Sequence, residues 1–164
     1  MQLNGLIFTL PKEIKLLIGA FIIVLSIGFY TGLLFVSETS SANPDGIEEQ
    51  YLGNENQEDV AVMKFKKSNR EMLTTIHGHI LSMSIIFFLV GLILSVTKLS
   101  KGYKLFIIIE PFISVLLTFG GIYFLWKGIL WMKYVVMFSG ILMTLTFSFS
   151  IILILSQLFL KKSN

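Results

Sequence analysis

The chain has 164 residues, 54% of them hydrophobic and 14% charged, and thirteen Lys and Arg against ten Asp and Glu give a net charge of +3. Its mean hydropathy is +0.80. Soluble domains carry about 25% charged residues, so this composition excludes intrinsic disorder and leaves far too much apolar surface for a soluble particle of this size. The basic excess is small and dispersed, which argues against a nucleic-acid partner, and the absence of Cys excludes disulfides and thiolate chemistry.

The first uncharged run holds 22 residues between Lys15 and Glu38. A spanning helix needs about 20, whereas the apolar core of a cleaved signal has roughly 7–15, so a retained helix over residues 13–37 is expected. Thr9 stands near its cap and Pro11 in its first turn. Gly28 and Gly32 form a GxxxG on this helix, a surface for close packing within the chain or for a second copy.

Residues 38–70 follow as the one sizeable extramembrane loop. Asn43-Pro44-Asp45-Gly46 reads as a turn, and Glu38, Asp45, Glu48, Glu49, Glu55, Glu58 and Asp59 make the loop acidic. Their spacing lacks the pattern and central Gly of a calcium loop, so a solvated face is expected. The stretch VAVMKFKKSNREM then turns basic and is expected to approach the next helix along the membrane surface.

Three further apolar segments are expected as helices over residues 71–98, 104–126 and 132–160. None alternates with a period of two, which excludes a membrane barrel. The expected fold is therefore all-α: a polytopic four-helix transmembrane bundle forming a single domain, residues 1–164. Tyr123, Trp126, Trp131 and Tyr134 bracket the last hairpin as an interfacial aromatic belt. With four spans both termini share one side. Lys12, Lys15, Lys98, Lys101, Lys104, Lys161 and Lys162 fall there, against Lys64, Lys66, Lys67, Arg70, Lys127 and Lys133 opposite. That seven-to-six margin points to cytoplasmic termini and an extracytoplasmic loop.

Polar residues inside the spans carry the functional candidates. His77 and His79 lie at the mouth of the second helix, with Met83 one turn further. Two residues apart, the histidines diverge by about 200° and cannot share one ion or supply both axial ligands of one haem. His79 and Met83 share a face but stack side by side. A b-type haem would draw its second ligand from elsewhere, such as Met132, Met137 or Met143. Packing or headgroup contact is the plainer role of these histidines. Glu110, followed by Pro111, Ser114 and Thr118, places a carboxylate in the third helix. There it needs a proton, water or a partner such as Lys104; proton or ion carriage is the functional alternative. No nucleophile elbow, Walker, dinucleotide or zinc-protease motif is present, so no catalytic residue is assigned.

The stretches PDGIEEQYLGNE and MKFKKSNREMLTTIHGHILSMSIIFFLVGLI resemble small four-helix bacterial inner-membrane proteins without an assigned function, over residues 44–93. The His-x-His also resembles elements of oxidase-like haem proteins, which implies a respiratory association. The expectation is a non-catalytic membrane subunit or partner-binding protein with Tyr51, the acidic loop and residues 64–70 as exposed handles. The alternatives are a b-type haem electron-transfer protein using His77 or His79, and a small proton- or ion-coupled transport component using Glu110. The expected partners are the lipid bilayer and, through Gly28 and Gly32, a homodimer mate or another membrane protein.

Overall fold

Large apolar side chains point outward along every long helix of this protein, and on the last two helices small polar ones point inward. The computed structural model describes residues 3–55 and 62–159, and these residues contain helices and no strand. A 3-10 turn over Leu6–Thr9 precedes α1 (Lys12–Ser40), α2 (Pro44–Leu52), α3 (Asn69–Ser95), α4 (Lys101–Trp126) and α5 (Met132–Phe159). All but α2 are long and apolar enough to cross a membrane. Leu17, Val24, Phe138 and Ile152 are each about two-thirds exposed, while Ser114, Ser139 and Ser150 are buried. Lipid tails are as apolar as leucine, so exposing these side chains costs nothing in hydrocarbon. The hydroxyls must then be satisfied inside. Ser139 donates to the Val135 carbonyl at 2.8 Å, Ser150 to Thr146 at 2.7 Å, and Thr118 and Ser139 share a hydrogen bond of 2.7 Å between α4 and α5.

The centre of the molecule is α4, which packs most extensively on α5 and then on α3. The seam with α5 is close at Gly121, where an added Cβ would stand 2.8 Å from Val136 Cγ2. The helix continues through Pro111. By contrast, α1 buries only Gly19, Ile22 and Ser40. It touches α5 through Phe29 stacked on Phe147 at 4.0 Å and through the Tyr30 and Ser148 hydroxyls at 2.8 Å. That rotation carries Gly28 and Gly32 away from the bundle, and a Cβ on either would meet no atom of another helix within 4 Å among the described residues. Close packing of the GxxxG within the chain is therefore corrected: the aromatic face of α1 makes the contact instead.

Both ends of the bundle are closed. At one end the 3-10 turn docks beneath α3, with Ile7 N–H on the Val96 carbonyl at 3.0 Å and the Ile7 side chain fully buried. The Lys104 ammonium donates to Asn4 Oδ1, Ser95 O and Thr97 O at 2.9, 3.1 and 2.6 Å. Gln157 grips both sides of the Lys98 peptide, accepting at 2.6 Å and donating at 2.9 Å. Two local expectations change here. Thr9 does not cap α1: its hydroxyl donates to the Leu6 carbonyl inside the 3-10 turn, and Pro11 is the N-cap residue. Lys104, committed to carbonyls, is not the partner of Glu110.

Helix limits shift for identifiable reasons. A capping box between Ser68 and Glu71 starts α3 at Asn69, and each satisfies a backbone N–H of the other. Residues 96–100 form the turn into α4, so α3 ends at Ser95. Glu58, Asp59, Leu160, Lys161 and Lys162 lie outside the described residues.

The seam yields a direct test. Gly121→Val should lower stability in detergent by about 1–3 kcal/mol through overpacking. Gly28→Val, on the open face, should stay within about 0.5 kcal/mol of the parent. Thermal unfolding of the two variants side by side checks this; equal losses would contradict the packing.

Candidate functional site

The end opposite the 3-10 turn carries a built cap. Asn43 accepts the Gly46 N–H at 2.7 Å and Pro44 occupies the first turn, so the expected turn at Asn43–Gly46 is instead the start of α2. A Cβ on Gly46 would lie 1.9 Å from the Ser40 carbonyl oxygen, so only glycine allows α2 to fold back this closely on α1. Gly53, at φ 83°, turns the chain out of α2 against residues 64–66. Asn54 is buried and staples that return: its Oδ1 accepts Lys64 N–H at 2.7 Å and its Nδ2 donates to Val62 O at 3.1 Å. Lys67 N–H reaches Tyr51 O at 3.1 Å, and Lys64 Nζ reaches Thr39 O at 2.8 Å.

Two further anchors join this cap to α4 and α5. Trp126 Nε1 donates to the Lys67 carbonyl at 2.7 Å, and the ring is buried with the Lys127 ammonium 4.7 Å from its centroid. Trp126 is thus a cap anchor and not a belt residue, whereas Trp131 and Tyr134 are exposed. Lys133, at the start of α5, bonds both Asp45 and Glu48 at 2.7 Å. Tyr51 is half-buried against the core, so it is not an exposed handle. Burial pushes its phenol above the ordinary value of 10.0. The side chains that do stand out are Val62, Met63 and Phe65, at 67%, 55% and 67% exposure.

The intramembrane candidates do not form one site. His77 and His79 are both exposed on α3. His79 Nδ1 lies 2.8 Å from the Thr75 carbonyl, a hydrogen bond in the Nδ1–H tautomer that leaves Nε2 free, and its ring packs 4.8 Å from Phe119. Met83 is half-buried on the core. Glu110 and Ser114 are buried on α4, where Ser114 donates to Glu110 Oε1; Glu110 Oε2 has no hydrogen-bond partner among the described residues. Thr118, one turn on, bonds Ser139 instead. Among the described residues no three His, Cys, Asp or Glu gather as a metal-holding group.

The cap and the three spans after it have a counterpart elsewhere. A family model described as a transmembrane helical domain matches residues 41–164. The chain belongs to that family. The match begins directly after α1 and takes in α2, α3, α4 and α5, so the family domain includes the cap with its anchors. With four helices of spanning length, it makes this a multi-pass membrane protein. No curated protein and no solved structure matches the chain.

Replacing Trp126 by Phe removes one hydrogen bond from the cap and should cost about 1 kcal/mol. The rate of proteolytic cleavage within residues 53–67 should rise accordingly, and an unchanged rate would refute the anchoring role. Tyr51 adds a pH signature. Its folded-state pKa is raised, so its contribution is complete below the unfolded value of 10.0 and is lost as pH climbs through the folded value. The parent should therefore lose more stability than Tyr51→Phe on titration above pH 10.0, read as the difference between their melting curves.

Proposed function

We propose that the protein is a non-catalytic subunit of the bacterial inner membrane, a single four-helix domain over residues 1–164 that holds a partner protein on its extracytoplasmic cap. Both termini are then cytoplasmic. The carrying observation is the contrast within residues 62–67. Their backbone is held by Asn54, Tyr51 and Trp126, while Val62 and Met63, before Lys64, and Phe65, between Lys64 and Lys66, are left exposed. An apolar group presented on a fixed backbone loses little entropy on binding, which favours recognition. The acids of α2 at Asp45 and Glu48 already engage Lys133, so this reading moves the docking surface from the acidic stretch to Phe65 and its neighbours. The open Gly28–Gly32 face of α1 is its second contact surface, for a like chain or a neighbouring membrane subunit.

A second reading rests on His79. Its Nδ1 is anchored on Thr75 and its Nε2 is free, which is how an axial haem histidine is held. The second ligand of a b-type haem would come from another helix or a partner.

A photo-crosslinking residue at position 65, used in native membranes, should trap one defined protein, and the same probe at exposed Leu105 should not. Lipid adducts alone at position 65 would make this segment a membrane anchor and overturn the partner reading. For the second reading, a reduced-minus-oxidised spectrum should show stoichiometric b-type haem that disappears in His79→Ala; a blank spectrum from folded protein ends it.

A further inference from the structure

A groove of about 550 Å³ runs along the outer side of the α4–α5 seam, and nothing in the partner reading uses it. Its walls are apolar, with Leu105, Phe106, Ile109, Ile113, Phe138 and Leu142 along it, and Glu110, Ser114 and Ser139 supply its polar atoms. It extends along α4 from Gly102 to Leu117, roughly 22 Å at 1.5 Å per residue. That is more than half the hydrocarbon thickness of about 30 Å. Leu105, Phe106, Ile109 and Ile113 are each about half exposed or more, so the groove opens toward the lipid.

Glu110 does not belong in such a wall unless something completes it. The residue is 5% exposed and Oε1 is taken by Ser114, yet buried Oε2 meets no donor or acceptor among the described residues. Buried polar atoms are almost always paired, and an orphan carboxyl oxygen in hydrocarbon is costly. Lys104 is held by three other oxygens, and Thr118 is held by Ser139. The chain therefore supplies no spare partner among these neighbours.

We propose that this groove binds a membrane-dissolved lipophile with a single uncharged hydroxyl head, whose hydroxyl completes Glu110. Three observations select that chemistry. The volume lies within the range that holds a ligand of drug-like size. The lining accepts an apolar body and offers one polar anchoring point. Glu110 lies six residues beyond Lys104, roughly 9 Å deeper along the helix. A phosphate headgroup would have to leave the interface to reach it, whereas a weakly hydrated hydroxyl sinks easily. A hydroxyl also donates and accepts, so it pairs with the carboxyl whether ionised or protonated.

The test uses the whole protein in nanodiscs with diazirine-bearing octadecanol as the probe and diazirine-bearing octadecane as its hydrocarbon control. The alcohol should label α4 within residues 105–117, and excess plain octadecanol should compete it away. Glu110→Leu should cut that labelling about tenfold, the loss of roughly one hydrogen bond. Ile113→Trp fills the groove, leaves Glu110 in place, and should abolish labelling. It therefore serves as an independent readout should Glu110→Leu fold poorly. Equal labelling by octadecane, or alcohol labelling unchanged in Ile113→Trp, would reduce the groove to ordinary lipid contact and overturn the proposal. Failure here leaves the cap reading untouched, because Phe65 lies at the other end of the bundle.

Discussion

The distance between α4 and α5 governs the rest of this molecule. Gly121 lets the two backbones approach, and the Thr118–Ser139 hydrogen bond crosses the same seam. In a bilayer the hydrophobic effect does not press helices together, so close van der Waals fit and shared hydroxyls must do so. Once that pair is set, α3 lies along α4, Trp126 at the end of α4 meets the returning loop, and Lys133 at the start of α5 meets α2. The cap is thus assembled from the ends of the same two helices whose middles form the seam. The tight turn between them, with Gly128 at φ 101°, keeps both anchors on one side.

Much of this architecture was legible in the chain because a membrane imposes a coarse and strict rule. Four apolar runs of sufficient length became four helices, and their limits moved by only a few residues. What escaped reading was the interior of the acidic loop. Asn-Pro-Asp-Gly reads equally well as a turn and as an N-cap followed by proline at the first helical position; the fold-back at Ser40 decides between them. The Ser68-x-x-Glu71 capping box was a readable signal for the start of α3, since both residues and their spacing stand in the sequence.

Side-chain roles were less legible than spans, for a different reason. Tyr51 and Trp126 both belong to residue types that commonly sit at a membrane interface, and nothing local in the sequence shows that a loop will cover them. Trp126 is buried by a segment some 60 residues upstream, with its partner at Lys67. Likewise the expected pairing of Glu110 with Lys104 was sound by proximity along one helix. It lost to the carbonyls at the end of α3, which face the same ammonium once the 3-10 turn is in place. Periodicity tells which residues share a face; it does not tell which neighbour arrives at that face.

The position of α1 carries a consequence for how this protein meets others. The helix is tied at one end by the segment before it, through Ile7 on Val96, and at the other by Lys64 on the Thr39 carbonyl. Between those ties it leans on α5 chiefly through Phe29 and Tyr30. Of the four spans α1 buries the smallest share of its length, and it is the one that precedes the family domain. Most of its circumference is therefore left to lipid or to a neighbouring protein, while the family domain keeps its own seam closed without it.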